Sequence, residues 1–370
     1  MKKVLIYGLY DWDNLGDDLM MYCVKNKLEE NNITPYFVRS HNDNYFDESY
    51  RYENSLQTDK ISNNKIKNAI LKFWQVFTFN PNKNNYDSII FMGGGYINRS
   101  IGSGYGKLIY ILLLKRKFKK MNIFFTGQTS GPINNFIDRI LLKQIYKKAT
   151  VYVREKNSYC LLKKIGINSL LAGDDAFLLN YSGIKKTKKD YFIVNFKSFS
   201  GYDNLFNKFQ HLIINVARQR KLKVILIPFR NIDSYDEYRI HVKLKKILEK
   251  EKIEVELFKS KKVDELISCI NNSKFMIGTA YHFLTLGILL NKTIFTGYVG
   301  KYYKNKIQGI IDLTEYKNVR CYDLEKEDLS QMEKDALKEI KKDNSNKVES
   351  VKRDVSNEWD YVIKKIKEKV

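Results

Sequence analysis

The chain has 370 residues, with 65 Lys and Arg against 42 Asp and Glu, a formal charge of +23. Hydrophobic residues make up 44% and aromatics 14%, enough to bury real cores, so wholesale disorder is excluded and two domains of ordinary size are favoured. Four scattered cysteines (Cys23, Cys160, Cys269, Cys321) form no CxxC pair and no metal-ligand spacing, which argues against a disulfide scaffold or zinc module and fits a reducing cytoplasm.

The charge invites a nucleic-acid or anionic-membrane reading. It is lysine-led, however, with 53 lysines to 12 arginines, and residues 325–370 carry twelve charges of each sign. The surplus therefore lies in residues 1–324. No zinc finger, RNA-recognition signature or basic zipper accompanies it, so no nucleic-acid partner is expected. Met1-Lys2-Lys3 and the apolar Val4–Tyr7 imitate a signal peptide, but Gly8, Asp11, Asp13, Asp17 and Asp18 cut the apolar stretch short. Leu108–Leu114 is far below the ~18–20 residues that span a bilayer. The expectation is a protein neither secreted nor integral.

Short apolar runs alternate with helical patterns, the signature of an α/β protein with parallel sheets. Lys3–Tyr7 reads as a buried strand, and a helix with Leu19, Met20, Cys23, Val24 and Leu28 on one face follows, capped by Asp17 or Asp18. Thr34–Val38, Ser88–Met92, Ile123–Thr126, Val151–Arg154 and Ser169–Leu171 are further strands, with a helix over Phe136–Lys148. After the basic linker Ile184–Lys189, a second series runs Tyr191–Phe196, Lys223–Pro228, Glu254–Phe258, Lys274–Gly278 and Thr293–Gly297. Helices around Leu205–Gln219, Tyr235–Lys250, Val263–Asn271 and Phe283–Leu290 separate these strands. From Glu325 onward charged helix predominates, with Trp359, Val362 and Ile366 on an apolar stripe that packs on the domains or makes an oligomer contact. The expected organisation is a Rossmann-like domain over 1–183, a second over 184–324, and a helical extension over 325–370. Two doubly wound parallel-sheet domains with a closing helix suggest a glycosyltransferase-B-like architecture.

In such sheets ligands sit beyond the carboxyl ends of the strands. The first loop, Gly8 to Asp18 with Asn14 and Gly16, is either a ligand loop or a polar turn that caps the helix. Gly93-Gly94-Gly95 directly follows a strand and would let a backbone approach a ligand closely. It lacks both the dinucleotide fingerprint and the P-loop lysine. Thr126–Pro132, with Gly127 and Gln128, also lies between a strand and a helix. Arg154 ends a strand, where it could clamp a carboxylate or phosphate, or pair with a neighbouring Asp. Asp174-Asp175 follows as a turn or part of an acceptor site. Of the four histidines only His282 follows a strand at a helix start, after Gly278 and Thr279. There it reads as a general acid or base, or as a hydrogen-bonded histidine beneath the helix.

Taken together and in this order, Asn14–Asp18, Phe91–Gly95, Gly127-Gln128 with Gly131-Pro132, Val153–Glu155, Asp175–Phe177, Gly278–His282 and Tyr298–Lys301 resemble the polysaccharide pyruvyltransferase family. The resemblance implies a cytoplasmic enzyme of cell-surface polysaccharide synthesis, possessing a phosphoenolpyruvate donor and a glycan or lipid-linked sugar acceptor. On it, His282 protonates the enol carbon and Arg154, Lys301 and Arg230 hold donor anions. Asp17 positions or deprotonates an acceptor hydroxyl. No cofactor beyond phosphoenolpyruvate is implied; no HxH or DxD motif at a strand end argues for a metal, though Asp174-Asp175 leaves one open. One departure is specific: the family arginine two residues before the histidine is here Ala280. Arg230 or Lys301 would have to replace it, or the donor is a nucleotide-sugar used by a glycosyltransferase-B-type enzyme. Two basic-apolar segments, Lys65–Phe77 and Leu108–Lys120, have the character of helices resting on an anionic membrane leaflet, or of ordinary packed helices with snorkelling lysines.

Overall fold

The computed structural model describes residues 1–8, 14–38, 50–53, 74, 77–78, 85–97, 105–133, 135–181, 187, 189–197, 199, 203–230, 236–260, 262–326, 329–338, 343 and 345–368. The chain divides into two compact units. Met1–Trp12, Asp17–Leu179 and Ser350–Val370 form the first, and Asp13–Gly16 with Asn180–Glu349 the second.

The first unit holds β1 (Lys2–Tyr7), α1 (Leu15–Glu29), β2 (Ile33–Val38), β3 (Tyr52–Glu53), β4 (Ser88–Phe91), β5 (Gly94–Ile97), α2 (Tyr105–Lys117), β6 (Asn122–Ser130), α3 (Phe136–Tyr146), β7 (Thr150–Val153), α4 (Lys156–Lys164) and β8 (Leu170–Leu171). Its sheet runs β3-β2-β1-β4-β6-β7-β8, with β5 paired to β6. Every pairing is parallel, which explains why Val4-Leu5-Ile6 and Ile89-Ile90-Phe91 are unbroken apolar runs: both faces of the sheet are covered. Strand order reverses between β1 and β4.

Two expected loops here are partly strand. Beyond Thr126 the chain stays in β6 to Ser130, re-pairing with β5 and β7 after a register shift around Gly127. Gly94 opens β5. Within Leu108–Lys120, read as a membrane-facing candidate, Leu108, Tyr110, Ile111, Leu112 and Leu114 are buried in α2, while Ile109 is exposed. The Lys65–Phe77 segment lies outside the described residues except at Trp74 and Phe77.

The second unit holds β9 (Tyr191–Asn195), α5 (Asp203–Arg220), β10 (Lys223–Leu226), α6 (Asp236–Lys250), β11 (Val255–Leu257), α7 (Val263–Asn272), β12 (Met276–Gly278), α8 (Tyr281–Leu289), β13 (Ile294–Tyr298), α9 (Gly300–Thr314), β14 (Val319–Asp323) and α10 (Leu329–Leu337). Its sheet, β11-β10-β9-β12-β13-β14, is the Rossmann order, with the switch point between β9 and β12. Sequence patterning does not anticipate β14 or α9. β14 is an edge strand in which exposed Arg320 and partly buried Cys321 separate buried Val319 and Tyr322, so it shows no continuous apolar run.

The last helix, α11 (Val348–Glu368), belongs from Ser350 onward to the first unit rather than standing apart as an extension. Val351, Val355, Trp359, Val362 and Ile366 recur at helical spacing and are all buried. Gly173 admits them, since a Cβ there would stand 2.7 Å from Val355. No helix among the described residues is long and apolar enough to cross a membrane.

Candidate functional site

The second unit's switch point is built on a buried polar lattice. Asn195, at the end of β9, donates from Nδ2 to Ile227 O (2.9 Å) and Glu237 Oε1 (3.1 Å), and its Oδ1 accepts from Ala280 N (3.0 Å). Glu237 Oε1 also accepts from Phe229 N at 2.8 Å. His241 is fully buried and its Nε2 accepts from Phe196 N (3.1 Å), so Nδ1 carries the proton and donates to Glu237 O (2.7 Å). Burial lowers the His241 pKa and favours this neutral form. Thr279 Oγ1 accepts from Lys197 N at 2.8 Å. The segments leaving β9, β10 and β12 are thereby fixed to one another, each buried donor or acceptor matched as low-dielectric burial requires.

Onto this lattice the chain lays Asn14–Gly16. Asn14 forms an antiparallel bridge with Arg230, Leu15 N donates to Phe229 O (2.8 Å), and Asn14 Oδ1 accepts from Gly16 N (3.1 Å). Gly16 packs on the His282 ring: a Cβ at position 16 would stand 1.9 Å from Nδ1 and 2.3 Å from Cγ. The structure thus brings together Asn14, Gly16, Arg230, Gly278, Thr279 and His282. Gly278 serves packing, since a Cβ there would stand 2.6 Å from the Phe283 ring and 2.9 Å from Asn195 O.

His282 is the second residue of α8, half-buried, at the helix end where backbone N–H groups lack intrahelical partners. Ala280, the N-cap, offers no side-chain bond, and its own N–H goes to Asn195. Cations the sequence reading passed over stand among tyrosines of this unit. Lys197 donates to Tyr303 Oη at 2.5 Å and lies 4.3 Å from that ring's centroid, and Lys306 lies 4.8 Å from the Tyr281 ring centroid. Lys301 has different company. It lines a cavity of about 360 Å³ with Lys304, Lys326, Asp323 and Glu325, and Glu325 Oε2 accepts from Gly300 N (2.9 Å), the first residue of α9. A carboxylate already occupies that helix start, which makes it a poorer place for a further anion.

The remaining expected residues are in the first unit. Arg154 is 1% exposed, donates to Asp174 Oδ2 (2.5 Å) and Thr129 Oγ1 (2.8 Å), and has Glu155 at 3.7 Å. This is the pairing with a neighbouring Asp, and it leaves the guanidinium inside the unit rather than presented to a donor. Asp175, fully buried, accepts from Gly93 N (2.8 Å), Thr126 Oγ1 (2.8 Å) and Trp359 Nε1 (3.0 Å). Burial, then the neighbouring Asp174, push its pKa to about 6 against those three donors. Gly93 and Gly127 leave room for this carboxylate: a Cβ would lie 2.8 Å from its Oδ2 at Gly93 and 3.2 Å from its backbone N at Gly127, where φ is +51°. Gly94 and Gly95 lie in β5, and Gln128 Nε2 donates to Phe91 O, Met92 O and Thr126 O. Asp17 is in the first turn of α1, where a carboxylate favours the helix. Asp11 and Asp13 lie outside the described residues. Among the described residues no cluster of three His, Cys, Asp or Glu is arranged to hold a metal ion.

A family model described as polysaccharide pyruvyl transferase matches residues 14–295. No curated protein matches the chain. Among solved structures, the UDP-GlcNAc 2-epimerase of Methanocaldococcus jannaschii is 14% identical with a TM-score of 0.61, over 98% of this chain and 100% of that one. UDP-N-acetylglucosamine 2-epimerase from Rickettsia bellii is 14% identical with a TM-score of 0.58, over 98% of each chain. Arabidopsis thaliana UGT89C1, complexed with UDP-L-rhamnose, is 9% identical with a TM-score of 0.56, again over 98% of each. At these identities the likeness is one of fold, and the fold is glycosyltransferase-B-like: two doubly wound α/β units.

Proposed function

The chain belongs to the polysaccharide pyruvyl transferase family, and on that premise we propose that it transfers a pyruvyl group from phosphoenolpyruvate to a sugar of a cell-surface polysaccharide as a cyclic ketal. One sugar hydroxyl adds to the enol C2 while C3 takes a proton and becomes a methyl group. A second hydroxyl then displaces phosphate from the same carbon. His282 supplies the proton, and Asp17 orients the acceptor hydroxyl of a glycan or lipid-linked sugar. The observation that carries the reading is the family match itself, which spans both the Asn14–Asp18 motif and His282. The contact between Gly16 and the His282 ring supports it, since two family-like motifs distant in sequence meet there.

The donor is a phosphate and a carboxylate on three carbons, so cations must replace what Ala280 lacks. Arg230, whose backbone bridges Asn14, is the first of them, and Lys197, two residues past β9, is the second. Lys301, beside Asp323 and Glu325, is a poorer candidate.

Ala280 itself favours one other reading, a glycosyltransferase acting on a nucleotide-sugar donor. The test is to incubate the protein with phosphoenolpyruvate and a panel of oligosaccharide and lipid-linked acceptors, following phosphate release and the methyl resonance of a pyruvyl ketal. Sugar transfer from a nucleotide-sugar panel, with no phosphate released from phosphoenolpyruvate, replaces the first reading with the second.

A further inference from the structure

We propose that the outer face of α3, together with the basic end of α2, is a docking surface for an anionic lipid bilayer. α3 buries Leu142, Ile145 and Tyr146 against its own unit, yet Phe136 (71% exposed), Ile137 (53%) and Ile140 (42%) point to solvent. Positions 136, 140, 143 and 147 follow one line along a helix surface, so the apolar residues lead directly into exposed Lys143 and, just past the helix, Lys147.

Neither helix presents an exposed acid. Across residues 105–120 and 135–148 the sole acidic residue is Asp138, and it is buried. Exposed cations flank the apolar residues on both helices: Arg116, Lys119 and Lys120 at the end of α2, and Arg139, Lys143 and Lys147 at α3. Lys115 joins the two elements, donating from its buried ammonium to Gln144 O (2.9 Å) and Lys147 O at the carbonyl end of α3. One framework therefore presents Phe136, Ile137 and Ile140 as an apolar knob beside the cations of both helices, neither of which shows an exposed acid.

That combination matches the headgroup region of a bilayer. The knob enters the acyl boundary while lysines and arginines pair with lipid phosphates, each cation near the surface strengthening binding about fivefold. Of the segments that sequence patterning marks for this role, Leu108–Lys120 contributes the basic end of α2, and Trp74 and Phe77 of Lys65–Phe77 are exposed. The core side of α2 is buried, with Ile109 exposed on its other side, and the three exposed apolar residues of the knob are on the following helix. The surface serves an enzyme with a lipid-carried acceptor, but the argument is independent of the donor and of the reaction.

The test is co-sedimentation of the full chain with vesicles of phosphatidylcholine alone and with about a third phosphatidylglycerol. Binding to the anionic vesicles at low salt is expected, lost as salt rises and absent with phosphatidylcholine alone. Phe136→Ser/Ile137→Ser/Ile140→Ser is expected to weaken it at least about tenfold, and Lys143→Gln/Lys147→Gln about twentyfold, with unchanged thermal melts. Absence of binding to anionic vesicles at low salt overturns the proposal, as does a triple variant that binds like the parent. A parent that ignores vesicles but forms a dimer abolished by the same triple substitution assigns the surface to self-association instead.

Discussion

A β-carbon on Gly16 would stand 1.9 Å from Nδ1 of His282, so the position of the ring depends on residue 16 having no side chain. Gly16→Ala is expected to displace the imidazole while the backbone bond from Leu15 to Phe229 persists. The cost falls on kcat, by about 10–100-fold, because a misplaced proton donor loses orientation more than it loses binding. Steady-state kinetics of phosphate release read this directly, and a change confined to KM contradicts it.

His282→Gln is expected to lower kcat about 10²–10⁴-fold, the usual contribution of a positioned acid or base. Thermal melts should change little, because the side chain is half-buried and the lattice beneath it runs through Asn195, Glu237 and His241. Large loss of stability in this variant would assign His282 to the scaffold.

Arg154→Met leaves Asp174 buried without its guanidinium partner, at 1% exposure for both side chains. A cost of about 3–5 kcal/mol is expected in denaturant unfolding, because an uncompensated buried carboxylate is the main penalty. Folded protein recovered at low temperature should bind donor as the parent does. A donor affinity lost without loss of stability would restore the clamp role.

These contrasts mark what the sequence made legible. Parallel strands covered on both faces read as apolar runs, so β1, β4, β9 and β12 and their following motifs stand out in the sequence. The role of each motif does not, because it depends on partners distant in sequence. Arg154, Gly93 and Gly127 resemble ligand residues, yet they organise Asp174 and Asp175. His241 and Asn195 carry the lattice under the site but sit in a helix and at a strand end where no motif marks them. The His241 period on α6, fully inside, is the one signal that could have found it.

Glu358 carries a pH signature. Both carboxyl oxygens are buried without a hydrogen-bond partner among the described residues, and burial, then Asp175 and Asp174, raise its pKa well above the usual range. A raised folded pKa means that the native state holds the proton more tightly than the unfolded chain does. Its stabilisation is full below the unfolded value and is lost as pH rises through the folded one. Asp175, at about 6, adds the same sign over the lower part of that window. Glu358→Gln, a mimic of the protonated acid, should match the parent near pH 4 and become more stable than it at higher pH. The expected gap grows by about 1.4 kcal/mol per pH unit until the native acid ionises. Melting across pH checks this, and parallel curves for the two proteins contradict it.

The claim that this chain handles phosphoenolpyruvate without the family arginine at position 280 is tested most directly by titration calorimetry of that donor. The parent is expected to bind phosphoenolpyruvate saturably, and Arg230→Ala, which removes the guanidinium of the residue whose backbone bridges Asn14, to bind it at least about tenfold more weakly. Saturable binding of a nucleotide-sugar with no heat from phosphoenolpyruvate would contradict the account.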